Sequence, residues 1–397
     1  MFKLTSLNKL ISRIFQKATT KELWKPSEVF VTHPHLRLTP AEVSEIQRNM
    51  SIANDGNYYT DAIFEGGGVR GTAFLGALRC FADAGIQFRK VAGTSAGALT
   101  AAMVAAGFTI DEMEQDILGP LDYENDLLGA KTSWLIRNGS PSDDLKHFPW
   151  LLARLVVSGK DGQYFAAPFK QWLESHLTER LPNFAPFTAA NQANLLWYEQ
   201  RDLRVVISDI SAKEMRVLPE DLSYYDETPE AFSVIDGVLL SMSIPLFFEP
   251  GRLKDSTIVD GGILSNFPLW IYDAEPTRKP KCPTFGFRLL EAEEITPKPV
   301  KGPFSILQAM FETMQVARDS HHTRKYDQGR VIDIPTGTIT ATKFDLTNAE
   351  KDGLYRQGYE SAKAFLLEWS WQEHLRQRGF GAEEAQPVVQ TESIEVS

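Results

Sequence analysis

The chain has 397 residues, 43% hydrophobic and 23% charged, with a net charge of −11. That length buries a sizeable core in one large α/β domain with additions. The acidic balance, with no basic stripe interleaved with aromatics, argues against a nucleic-acid binder. No apolar run approaches the ~18 residues that span a bilayer, and the N-terminus lacks the continuous apolar stretch of a secretory signal. Cys80 and Cys282 both lie in apolar surroundings. Two such residues fit buried free thiols in a reducing compartment, so a cytoplasmic location is expected.

In chain order, residues 1–57 form an N-terminal extension. Within residues 2–21, Leu4, Leu7, Ile11 and Ile14 recur at helical spacing among Lys3, Lys9, Arg13, Lys17 and Lys21, and no acidic residue appears before Glu22. Such a helix either docks on its own domain or lies on a membrane surface. A short helix is expected near Thr39, with Pro40 at its first position and Glu42 close behind.

From Tyr58 the rhythm becomes strand, loop, helix. Strand 61–65 leads into Gly66-Gly67-Gly68-Val69-Arg70-Gly71 and the helix 72–84. Strand 88–92 leads into Gly93-Thr94-Ser95-Ala96-Gly97 and the helix Ala96–Ala106. This order predicts a parallel sheet with right-handed crossovers, both turns falling at the carboxyl edge where ligands bind. Residues 119–200 lose the rhythm and read as a helical insertion, with Phe165, Phe169, Trp172 and His176 at helical spacing suggesting packing. Strands resume at Leu203–Ser208 and Glu214–Leu218. A helix at about 230–241 stops before Ser243-Ile244-Pro245. Strand Thr257–Val259 ends in Asp260-Gly261-Gly262, and residues 276–380 supply strands at 284–289 and Val331–Ile334 with a long helix at about 304–325. A last helix opens at Thr347 with Glu350 completing a capping box, and its stripe Tyr355, Tyr359, Ala362, Leu366, Trp369 should face the core. Residues 381–397 are an acidic tail expected to be disordered.

Three motifs carry chemistry. The G-x-S-x-G around Ser95 has the form of a nucleophile elbow, in which small neighbours let a tight turn expose the serine hydroxyl. The glycine run offers backbone N–H groups at a helix N-terminus, where negative charge is favoured. Gly66, Gly68 and Gly71 also fit a dinucleotide-binding spacing. That reading needs an acid ending the second strand, where Arg89-Lys90-Val91-Ala92 stands instead. Asp260 ends a later strand at the same edge, although Asp-Gly is also a turn dipeptide. A histidine base from His321 or His322 is the other option, but both sit in a charged helix beside Arg318, Arg324 and Lys325. No metal-ligand motif is present, and no cofactor is expected.

Taken together, these motifs resemble the patatin-like phospholipase family over about residues 58–275. Gly66–Gly71 looks like its oxyanion loop, Gly93–Gly97 its elbow, and Asp260-Gly261-Gly262 its D-G-G/A motif, with Ser243-Ile244-Pro245, Asn266 and Pro268 in the expected setting. The resemblance implies a three-layer α/β fold with a central, mostly parallel sheet flanked by helices. It implies Ser95 as nucleophile and Asp260 as base of a Ser–Asp dyad, with Gly66, Gly67, Gly68 and Arg70 in the oxyanion loop. It further implies two-step hydrolysis of phospholipid or a related acyl lipid. Cleavage of soluble esters or thioesters is the alternative, as is an effector awaiting an unknown activator.

Overall fold

The computed structural model describes residues 23–123, 126, 162–164, 167–273, 277–291 and 328–380. The expectations for residues 2–21, the middle of the 119–200 insertion, the 304–325 helix with His321 and His322, and the tail from Gly381 lie outside them.

Among the described residues two helices precede the sheet, α1 (Glu28–Thr32) and α2 (Pro40–Asn49). Thr39 caps α2 by accepting the Glu42 N–H while the Glu42 carboxylate accepts the Thr39 N–H, as the sequence predicts. The sheet begins with β1 (Tyr58–Phe64), followed by α3 (Thr72–Asp83), β2 (Ile86–Thr94) and α4 (Ala96–Ala105). Beyond the helix α5 (Ala167–Leu177) come β3 (Asp202–Asp209), β4 (Glu214–Leu218), α6 (Val234–Ser241), β5 (Gly251–Leu253) and β6 (Ser256–Asp260). The chain closes with β7 (Thr284–Leu290), β8 (Val331–Pro335), α7 (Asn348–Glu368) and α8 (Trp371–Gln377). Helix α6 starts later than its apolar run suggests, because Ser233 supplies the cap by accepting the Ile235 N–H at 3.1 Å.

The strands form one eight-stranded sheet in the order β8-β7-β1-β2-β3-β6-β5, with β4 on β3 as well. Strands β8, β7, β1, β2 and β3 are mutually parallel, and β4, β5 and β6 pair antiparallel. The mostly parallel α/β fold is therefore present. The C-terminal strands complete its sheet: β7 lies directly beside β1, so chain beyond the matched motifs frames the glycine loop.

The register on β3 positions the site. Strand β4 pairs with Val205 to Asp209 along one edge. On the other edge β2 covers Asp202 to Val206, ending with Thr94 opposite Val206, and β6 covers Ile207 to Asp209, ending with Asp260 opposite Ile207. Two strands running in opposite directions thus end on consecutive positions of one edge. Ser95 and Asp260 meet there despite being far apart in the chain.

One large core packs against Ala62, Phe64 and Val91, while Ile63 and Ala92 on the other face pack with Phe267 and Leu269. The predicted stripe of α7 is buried, with Tyr355, Tyr359 and Ala362 wholly inaccessible. Each large apolar side chain so buried contributes about 1.5–3 kcal/mol. The tyrosine hydroxyls find acceptors, as buried polar groups must. Tyr355 Oη donates to Glu114 Oε1 at 2.6 Å, and Tyr359 Oη donates to Asp83 Oδ2 at 2.8 Å. Cys80 and Cys282 are free and buried.

Candidate active site

The elbow is a strained turn held by close packing. Ser95 has φ 53° and ψ −122°, a conformation that L-residues rarely adopt and that is kept only where the surroundings impose it. Gly97 cannot carry a side chain, because a Cβ there would lie 2.2 Å from the Phe64 carbonyl oxygen of β1. Ser241 at the end of α6 secures the turn. Its Oγ accepts the Ser95 N–H at 2.9 Å and donates to the Val206 carbonyl at 2.6 Å. The Ser95 N–H is thereby committed, and the hydroxyl is left for chemistry.

Asp260 is 2% exposed. Its Oδ1 accepts the Gly262 N–H at 2.7 Å, and its N–H donates to the Ser243 carbonyl at 2.9 Å. Oδ2 is buried and has no hydrogen-bond partner among the described residues. The Ser95 hydroxyl lies within interaction range of the carboxyl, short of a formed hydrogen bond. Such contacts are often loose before substrate arrives. Burial pushes the carboxyl pKa up to about 6, against the lowering pull of the Ser95 hydroxyl and the Gly262 N–H. A carboxylate in that range is a competent base near neutral pH.

The glycine loop presents two N–H groups. The Gly66 N–H donates to the Asn266 carbonyl at 3.0 Å, and the Val69 N–H donates to the Ala341 carbonyl at 3.0 Å. The N–H groups of Gly67 and Gly68 between them have no acceptor among the described residues. Each is aimed by a clamp on the carbonyl of the same peptide plane, since a planar trans peptide points its N–H opposite its C=O. Asn266 Nδ2 donates to the Gly66 carbonyl at 3.0 Å, which orients the Gly67 N–H. Arg70 Nε donates to the Gly67 carbonyl at 3.2 Å, which orients the Gly68 N–H. The Arg70 guanidinium also pairs with Glu291 just beyond β7. Gly68 has φ +54°, and a Cβ there would meet the Ala341 carbonyl at 2.0 Å. Glu65 ties the loop to the sheet, because its Oε2 accepts the Leu289 N–H at 2.6 Å.

Ser95, Gly68 and Gly71 line one cavity whose walls are mainly apolar, among them Leu75, Leu99, Leu118, Met242 and Phe248. Thr72 Oγ1 and Tyr123 Oη hydrogen-bond each other at 2.7 Å within it. An ester of an apolar acid suits such a lining. Among the described residues no group of three His, Cys, Asp or Glu is placed to hold a metal ion, and no helix is long and apolar enough to cross a membrane.

The motif residues are therefore brought to one edge of the sheet, Gly71, Gly93, Gly261 and Gly262 among them, while His321 and His322 lie outside the described residues. Gly71 lies against Ala96, Gly93 against Gly97, and Gly261 against the Val206 carbonyl. Gly262 lends its N–H to Asp260. Missed were Ser241, Ala341, Trp24 and Phe344, single residues with no periodic signal. Asn266 was noted only as part of a motif, not as a clamp.

A family model described as Patatin-like phospholipase matches residues 62–273. The chain is 34% identical to the Uncharacterized protein YqhO of Bacillus subtilis over 318 residues, covering 79% of this chain and 100% of that protein. It is 24% identical over 215 residues to the Probable lipid hydrolase 463L of Invertebrate iridescent virus 6, covering 53% of this chain and 62% of that one. Among solved structures, VipD from Legionella pneumophila aligns with a TM-score of 0.46 at 17% identity, covering 80% of this chain and 69% of that one.

Proposed function

Since this chain belongs to the patatin-like phospholipase family and so to the lipid hydrolases, we propose that it cleaves the acyl esters of phospholipids through a Ser95–Asp260 dyad. The observation that carries this reading is the convergence on β3. A strained serine elbow and a buried carboxylate with one free oxygen end on adjacent positions of the same strand edge.

The chemistry follows from the geometry. Asp260 Oδ2 takes the proton of Ser95 Oγ as that oxygen attacks the acyl carbonyl. The carbonyl electrons move onto oxygen, and the oxyanion is received by the N–H groups of Gly67 and Gly68, with Asn266 and Arg70 holding the donors in place. Expulsion of the alcohol, protonated from Asp260, leaves an acyl-Ser95. A water deprotonated by Asp260 then releases the carboxylic acid and restores the serine. Donors fixed in advance contribute most of the barrier reduction, each about 2.7–4 kcal/mol.

The acidic chain must still reach a lipid surface. The basic, apolar-striped residues 2–21 support a peripheral contact in which lysines meet anionic head groups and leucines enter the interface. Each cation contributes on the order of 1 kcal/mol there.

Mass spectrometry of lipids incubated with purified protein tests the reading. Free fatty acid and lysophospholipid should accumulate with wild type and not with Ser95→Ala. Lipid left intact by wild type, with and without cell extract as a source of activator, would refute phospholipid cleavage. Deleting residues 2–21 should weaken sedimentation with anionic liposomes while sparing hydrolysis of a soluble ester. Equal loss of both would make the segment a structural brace.

A further inference from the structure

We propose that Trp24 limits the size of the acyl group that the Ser95 cavity accepts, and that its hydrogen bond to Asp352 sets this limit. The proposal rests on the reading of Ser95 as nucleophile.

The cavity has a volume of about 40 Å³. Such a cavity holds a few water-sized groups. A butyryl chain fits this space. A longer acyl chain gains room when a wall moves.

The walls differ in how they are held. Leu75 and Leu99 project from the middle of α3 and α4, inside the large core. Trp24 lies outside every helix and strand, between exposed Leu23 and exposed Lys25, and is itself 5% exposed. What holds it in place is side-chain contact. Its Nε1–H donates to Asp352 Oδ1 at 2.7 Å, and its ring meets Tyr355 edge-on at 6.1 Å. The Lys351 ammonium sits 5.5 Å from the ring centroid and donates to the Leu121 carbonyl at 2.8 Å. One hydrogen bond and two ring contacts to α7 thus position the indole. Trp24 belongs to the same apolar core, but no helix or strand of its own carries it. Trp24 also lies outside the residues matched by the family model.

The experiment measures kcat/KM for p-nitrophenyl laurate relative to p-nitrophenyl butyrate, with the thermal midpoint of each variant recorded. Burying two or more additional methylenes raises the laurate-to-butyrate ratio by about tenfold in Trp24→Ala. Asp352→Ala, which frees the indole, shifts the ratio the same way by a smaller factor. Trp24→Leu replaces Trp24→Ala should the latter not fold. A second readout needs no turnover: a dansyl-labelled long-chain fatty acid should bind Ser95→Ala/Trp24→Ala about tenfold more tightly than Ser95→Ala. An unchanged ratio with unchanged binding overturns the proposal and leaves the hydrolase reading standing. Tighter binding in variants where no form of the protein cleaves esters sustains the size limit and overturns the hydrolase reading.

Discussion

Asp61 and Asp260 are both buried in this sheet, and they have opposite surroundings. Asp61 in β1 is 5% exposed and receives Arg89 at both oxygens, at 3.1 and 2.8 Å, with the Lys90 N–H at 3.1 Å besides. Asp260 at the end of β6 is 2% exposed, receives the Gly262 N–H on one oxygen, and among the described residues has no cation and no hydrogen-bond partner for the other. Burial raises both pKa values. In Asp61 a guanidinium offsets that cost and the carboxylate is occupied. In Asp260 the cost stands and the oxygen is available. The first arrangement stabilises a fold, and the second stores basicity beside a serine hydroxyl.

Exchanging the two residues' fates sharpens the contrast. Ser95→Ala and Asp260→Asn should each lower ester hydrolysis by on the order of 10⁴-fold, and the double variant should be little worse, since the pair acts as a unit. Asp260→Asn should also be the more stable protein at pH 8. A folded pKa of about 6 against an ordinary 3.8 means that the native state holds the proton more tightly. Its contribution to stability is therefore present at low pH and lost as pH rises through about 6, by as much as about 3 kcal/mol. Calorimetry should show the asparagine variant's advantage at pH 8 disappear near pH 4.

Asp61→Ala should do the reverse. It strands Arg89, destabilising the fold by about 3–5 kcal/mol, while the protein that remains folded should be labelled at Ser95 by a fluorophosphonate much as wild type is. Gly68→Ala touches the donors instead of the base. Its Cβ would strike the Ala341 carbonyl, and turnover should fall by about 10²–10³-fold while the Michaelis constant moves little. A raised Michaelis constant with full turnover would make the loop a substrate-binding element. Ser241→Ala is the mildest change. It leaves the Ser95 N–H unmet and should cost about 1–3 kcal/mol of stability, read as a lowered thermal midpoint.

The motifs at the strand ends were legible in the sequence because their chemistry is local. A serine between glycines and a run of three glycines each imply a turn whatever the rest of the chain does. The clamps were not legible in that way. Asn266 reaches Gly66 across 200 positions, Ser241 reaches Ser95 across 146, and Asp352 reaches Trp24 across 328. A parallel sheet makes such contacts by crossover, and a lone Asn, Ser or Trp carries no period to announce them. The sheet position of β7 was hidden for the same reason. Residues 284–289 read as a strand, yet nothing in them says that they lie beside β1. The pairing of Ser95 with Asp260 was expected from resemblance alone. The shared edge of β3 supplies a physical reason for their proximity.

The rate at which a fluorophosphonate labels Ser95, followed from about pH 5 to pH 8, tests the central claim most directly. It is measured for wild type, for Asp260→Asn, and for a variant with both His321 and His322 changed to alanine. Labelling in wild type and in the histidine variant should rise through about pH 6, the value that burial gives Asp260, and Asp260→Asn should label slowly at every pH. A fast, pH-dependent Asp260→Asn protein beside an inert histidine variant would contradict the account and assign the base to a histidine.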